Sequence, residues 1–161
     1  MDKIIDLLLS SSLHEWVMGH SWIWPSLEVL HFFGLSLLIG SMLIVDLRMI
    51  GWFLNVSIAA THKLLPCAFI GFSISILTGI LFFVGDPIRY ILNIGFQIKM
   101  VLIILAGLNM VIFYWKISPK IAEWNPEDAP PLLARSVGAW SLLLWFGVLL
   151  AGRLIPYVGT G

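Results

Sequence analysis

One cysteine, Cys67, stands in 161 residues. An internal disulfide is therefore excluded, as is any zinc or iron–sulfur site built on several thiolates. Charge is scarce as well: only 11% of the chain is Asp, Glu, Lys or Arg, nine basic against nine acidic. That balance leaves no field to recruit a polyanion, so nucleic acid is not an expected partner. The chain has no phosphate loop, no serine elbow and no zinc-protease helix motif. What it has in abundance is apolar sequence, 60% hydrophobic with a mean hydropathy of +0.99. Helices of that composition belong in lipid, and Cys67 reads as one small apolar residue inside such a helix.

The spacing predicts an all-α fold: an integral membrane four-helix bundle in a single domain, 1–161, with an N-terminal amphipathic interfacial helix over 1–20. The apolar run at Ile4 is interrupted by Asp6, and neither a basic start nor a small-residue cleavage site follows, which argues against a signal peptide. Ile5, Leu8, Leu9, Leu13 and Trp16 recur at helical spacing. Ser12 and Glu15 have capping-box spacing, which would divide this segment into two short helices. Four spans follow at about 25–48, 64–84, 94–115 and 136–155, each near the roughly 20 residues a bilayer core requires. A polar connection carrying Glu123, Glu127 and Asp128 separates the last two. Gly71, Ser75 and Gly79 repeat every fourth residue on the second span, and Ser36 and Gly40 on the first, a pattern that lets neighbouring backbones approach.

Lys and Arg are distributed unevenly between the two ends of the bundle. Arg48, Lys63, Lys116, Lys120 and Arg135 fall on one side, Lys3 and Arg89 on the other. The positive-inside rule then places the first set in the cytoplasm and both termini in the periplasm of a bacterial inner membrane. The bilayer itself is the first expected partner, and a periplasmic or membrane protein the second.

With that direction set, depth follows from about 1.5 Å of rise per residue. Glu28, His31, Thr78, Lys99 and Arg153 all come out in the outer half, and they come from four different helices. An ionisable group at a membrane helix centre costs roughly 2.5–3.5 kcal/mol on insertion scales, so such residues usually face the bundle interior. Glu28 is the expected partner of Lys99, and His31 reads either as a ligand or as a neutral imidazole bonded to a neighbouring helix. Arg153 reads either as a counter-charge or as a side chain snorkelling to headgroups. Asn109 reads as a helix–helix hydrogen bond and Trp145 as packing. Asp46 and Arg48, two residues apart and so on different faces, read as headgroup anchors or part of a docking surface.

The histidines limit a haem. His62 lies about 30 Å along the normal from His31 by the same rise, so the two cannot share one iron. His31 is left as the one well-placed axial ligand, with His20, a Met or Lys, or an open position completing the site. A copper ion would draw on Met18, His20, Glu28 and His31 as a mixed donor set.

The run Trp24-Pro25-Ser26-Leu27-Glu28-Val29-Leu30-His31-Phe32-Phe33-Gly34, followed by Leu37-Leu38-Ile39-Gly40 and Val45-Asp46-Leu47-Arg48, resembles a bacterial family of small four-helix membrane proteins of unknown function. Leu77-Thr78-Gly79, Phe96-Gln97-Ile98-Lys99-Met100 and Leu150-Ala151-Gly152-Arg153 extend the likeness over nearly the whole chain. More distantly, Leu30-His31, Thr78-Gly79 and Lys99 are similar to the outline of the CopD copper-resistance membrane domain and of the four-helix protoporphyrinogen oxidases. That resemblance implies a bundle handling haem b, a porphyrin or copper. Its cofactor-binding residues would be His31, Glu28, Lys99, Arg153 and Thr78, and a bare metal would sit on His31, Glu28 and His20. The expected functions are a CopD-like binding protein or complex subunit, a porphyrin or quinone oxidoreductase using His31 and Lys99 for proton transfer, or a structural subunit.

Overall fold

The computed structural model describes residues 2–124 and 129–158, and it is all-helical, with no strand among them. The expected Glu127 and Asp128 of the polar connection lie outside the described residues. The N-terminal segment is two helices, α1 (Asp2–Leu9) and α2 (Ser12–Gly19). The residue that starts α2 is Ser11 rather than Ser12: its side chain accepts from the His14 backbone N–H at 3.2 Å. Four long helices follow, α3 (Ile23–Ile50), α5 (Leu65–Gly85), α7 (Ile94–Ile112) and α8 (Leu132–Leu154), interleaved with the short α4 (Ile58–His62) and α6 (Pro87–Ile91). All four long helices are long and apolar enough to cross a membrane, which makes this an integral, multi-pass membrane protein.

Local chemistry explains the breaks. Gly51, at φ +109°, ends α3 in the left-handed conformation that glycine adopts without strain, and the Trp52 N–H closes on the Leu47 carbonyl at 3.0 Å. Pro66 and Pro87 occupy first turns, where the missing N–H costs nothing. Asn93 starts α7 by accepting from the Phe96 N–H, and its amide donates to the Ile155 carbonyl at 2.8 Å, tying the start of α7 to the end of α8. Beyond Ile112 the helix widens into a π-helical turn, Phe113–Ile117, and then tightens into a 3-10 stretch, Ser118–Glu123. Nothing in the residue pattern forecasts that turn.

Around the bundle, α5 packs on α3, α3 on α8, and α8 on α7, while α5 and α7 make no comparable contact. The four rods therefore form an incomplete ring with one open flank. The tightest seam is α3 against α5. A Cβ on Gly71 would come within 2.5 Å of the Gly34 carbonyl oxygen and the Leu38 nitrogen, so only glycine allows the two backbones this close. The expected small-residue stripe is thus real at Gly71 and Ser75. It fails at Gly40 and Gly79, where an added Cβ meets nothing within 4 Å, and at Ser36, which is exposed and bonds its own helix. Val17, Ile23 and Leu27 fill the end of the bundle that carries α1, α2 and α6, here called the terminal end. Val45, Met49, Phe113, Ile117, Ala134 and Val137 fill the opposite end.

Candidate functional site

A cavity of about 360 Å³ lies in the half of the bundle nearer the terminal end, between α5 and α7 and backed by α3 and α8. His31 lines it from α3, Ser75 from α5 and Lys99 from α7; nearly all the remaining wall is apolar. Phe83 and Phe96 stack across the open flank with centroids 5.9 Å apart. Phe72 meets Trp145 edge-on at 6.0 Å deeper in the bundle. Ile80 and Met100 line the cavity and are also exposed on the bundle's outer surface, so the space reaches the lipid face between α5 and α7.

The orientation of His31 is set by α5. Its Nδ1 lies 2.7 Å from the Thr78 hydroxyl oxygen. The single hydroxyl proton of Thr78 goes to its own helix, donated to the Ile74 carbonyl at 2.8 Å. With the proton so placed, Thr78 accepts from His31 Nδ1–H, and a ring in that tautomer carries its lone pair on Nε2. This is the arrangement in which an imidazole serves as a ligand, one nitrogen held by a neighbour and the other available. The ring is further packed edge-on to Phe82 at 5.6 Å.

Lys99 reaches the same space from the opposite wall, its side chain running along Gly152: a Cβ there would sit 3.5 Å from Nζ. Ser75 contributes a buried hydroxyl without a hydrogen-bond partner. Of the five residues expected to converge, His31 and Lys99 line one space, and Thr78 stands behind His31 as its orienting partner.

Glu28 does not join them. It is exposed, and it accepts from the indole N–H of Trp24 at 3.1 Å on its own helix. One turn separates Glu28 from His31, but a three-residue step leaves about 60° between their directions, enough to put one inside and the other outside. The carboxylate is felt instead by Tyr90 of α6, whose phenol burial chiefly raises above its ordinary value, with Asp86 and Glu28 adding to this and Arg89 opposing. Arg153 also stays out, exposed with its guanidinium 5.7 Å from the Tyr157 ring centroid, the snorkelling alternative. His20 is exposed and bonds the Trp16 carbonyl at 3.2 Å. Among the described residues no three His, Cys, Asp or Glu side chains gather closely enough to hold a metal ion, so His31, Glu28 and His20 form no bare-metal site.

Two further expectations change at the opposite end. Asp46 and Arg48 are not headgroup anchors: they are 2% and 1% exposed. Arg48 donates from Nε to the Val56 carbonyl at 2.6 Å, so the segment after α3 folds back over it. Asn109, by contrast, is the helix–helix hydrogen bond expected, donating to the Val137 carbonyl of α8 at 3.1 Å. The aromatic wall of Phe72, Phe83 and Phe96 was hidden in the sequence, because aromatic residues on membrane helices are too common to single out.

No protein-family model matches this chain, nor does any curated protein or solved structure match it significantly, so the geometry alone carries the reading of function.

Proposed function

We propose that this protein is a membrane-embedded binding subunit for a flat, lipid-soluble group bearing acidic or carbonyl substituents, with a haem or porphyrin as the first occupant. The observation that carries the reading is the His31–Thr78 pair at the wall of an aromatic cavity: an imidazole oriented by a fixed neighbour, with Nε2 available. Lys99 supplies a positive charge for a propionate or equivalent acid. Haem would bring redox-active iron to the site; the chain's own part is to orient the ligand, neutralise its acid and keep water away. A volume of about 360 Å³ falls at the small end of ligand pockets, and the open flank lets a larger ring extend toward lipid. Copper as a bare ion finds one donor here and is not the preferred occupant. This reading retains the CopD-like outline of Leu30-His31, Thr78-Gly79 and Lys99 as a proposal of relationship.

The test is the visible spectrum of the protein purified in mild detergent, before and after hemin is added. A Soret band that His31→Ala abolishes while the helical content persists supports the proposal. Absence of any band in both preparations rejects it.

The lipid-facing opening favours one alternative, a quinone site in which His31 and Lys99 hydrogen-bond or exchange protons with the two carbonyls. Quinone recovered by organic extraction, with none from His31→Ala, would favour that reading. As to location, Lys63, Lys116, Lys120 and Arg135 are exposed at the end opposite the termini, which supports termini on the periplasmic side of a bacterial inner membrane. Periplasmic or membrane proteins would then deliver or receive the bound group.

A further inference from the structure

The large cavity is bounded differently on its four sides. The seams of α3 with α5, α3 with α8 and α7 with α8 are packed, while α5 and α7 face each other across a gap. Toward the terminal end the space is roofed on each side by described residues. Phe82 covers His31 edge-on, and Trp24 packs on Phe82 with centroids 5.2 Å apart. On the α7–α8 side the Lys99 stem lies against Gly152, and Asn93 is tied to the Ile155 carbonyl. Over the α5–α7 gap lies the Phe83–Phe96 stack, and Tyr90 of α6 braces Phe96 with centroids 5.4 Å apart. α6 is in turn fastened to both rods. It continues from the end of α5 through the Asp86 cap, and Gln97 of α7 donates to the Ile91 carbonyl at 3.0 Å.

Below that roof the gap stays open. The Phe83–Phe96 stack sets the register of the two antiparallel rods, so Gly79 and Met100, each one turn farther in, stand at one level about 6 Å beneath it. Both line the cavity. Gly79 has no side chain, and an added Cβ there would meet nothing within 4 Å, while Met100 is 40% exposed. Ile80, beside Gly79, also lines the cavity and is 52% exposed. Another turn in, Ile76 and Ile103 line the two sides, and below them Phe72 meets Trp145 of α8. The opening is thus a side window. It has an aromatic lintel toward water, an aromatic sill at its deep end, and a glycine between them.

We propose that the cavity exchanges its occupant with the bilayer through this window between α5 and α7, with Gly79 holding it open and Phe83, Phe96 and Tyr90 closing the aqueous side. The proposal rests on the cavity being a binding site, as above, but not on which group fills it. The class of occupant follows from the route. It reaches the site already dissolved in hydrocarbon, and its ring enters edge-first, because a flat ring is thinnest in that direction. Polar substituents then meet His31 and Lys99 inside. Any alkyl tail trails through the window among lipid chains, which are as apolar as the protein wall. A strongly polar ligand is refused, since it would have to cross hydrocarbon unsolvated to reach the opening.

The experiment places the full chain in lipid nanodiscs with a small apolar aryl diazirine dissolved in the bilayer. Photolysis attaches the probe to the residues it reaches, and peptide mass spectrometry locates it. The expected result is labelling of Lys99 and Trp145 inside the cavity, as well as of Ile104, which is 61% exposed on the outer surface. Gly79→Phe, at a position where an added Cβ meets nothing, should abolish labelling at Lys99 and Trp145 and leave that at Ile104. Met100→Trp obstructs from the opposite rod, should do the same, and preserves the test if Gly79→Phe fails to fold. A charged diazirine confined to water should leave both inner residues unlabelled until Phe96→Ala removes the lintel. The proposal is overturned if the apolar probe leaves Lys99 and Trp145 of the native protein unlabelled, or if neither obstructing variant reduces their labelling. Labelling of the native protein there by the charged probe also overturns it, because the cavity would then open to water. A parallel hemin titration separates the two readings. Hemin binding without inner labelling rejects the window alone, whereas inner labelling without hemin binding supports the window and rejects haem as the occupant.

Discussion

The two ends of this bundle solve the problem of polar groups in a membrane differently. Near the terminal end, His31, Ser75 and Lys99 line a space open toward lipid, and donors and acceptors are mixed. At the other end, Asp46, Asn109 and Ser141 line a space scarcely larger than a water molecule, and Asn109 ties α7 to the Val137 carbonyl of α8. The first arrangement suits an organic ligand arriving from the bilayer. The second holds three helices together around buried polar groups. Open volume and tight volume are distinct signatures, and they make distinct demands on the same four helices.

Substitutions can separate the two. The largest effect is expected where both ends depend on one seam: Gly71→Leu drives side-chain atoms into the Gly34 and Leu38 backbone and should cost at least about 1–3 kcal/mol, read as lost thermal stability in detergent. Gly40→Ala, where nothing lies within 4 Å, serves as the silent control. Next, Thr78→Val removes the acceptor that orients His31. It should weaken hemin binding by about 10–100-fold in a spectral titration while the helical content persists. At the other end, Asn109→Leu removes the hydrogen bond to the Val137 carbonyl and should lower stability by about 0.5–1.5 kcal/mol, without shifting the hemin titration. Phe96→Ala unstacks Phe83 across the open flank at a cost of about 0.5–1.5 kcal/mol, and should speed hemin association in stopped-flow mixing. Smallest of all, Glu28→Gln should change stability by less than about 0.5 kcal/mol and leave the hemin titration unaltered, because this carboxylate faces outward.

The four long helices were legible from hydropathy alone, because bilayer thickness fixes the length of an apolar run. Their ends moved by a few residues where Gly51 stopped α3 and Pro131 preceded α8, rather than where polarity changed, while the start of α7 at Ile94, capped by Asn93, stands where expected. His31, Thr78 and Lys99 were legible through depth, since polar residues at one level on separate rods have few places to go but toward each other. Glu28 was misplaced because sequence proximity to His31 says nothing about which side of a 60° turn the protein seam runs, and Trp24 captured the carboxylate first. Asp46 and Arg48 were misread for a related reason. Nearness to a helix end suggests snorkelling, but the return of the chain at Val56 that covers Arg48 is a tertiary event. The same depth comparison applied to Asp46, Asn109 and Ser141 would have picked out the second cluster. The π-helical turn has no signal in residue pattern, because it arises from how α7 is fitted against its neighbours.

The near-contact of Gly34 and Gly71 has one more mechanical result. Gly34 lies three residues from His31 and twelve from Asp46 on a single continuous rod, and at that crossing neither partner has a side chain to yield. Such a joint resists axial spin far more than a seam of leucines would. The azimuth of the imidazole and that of the distant carboxylate are thereby locked to a common bearing, so any torque applied to α3 at one face of the membrane must be expressed at the other.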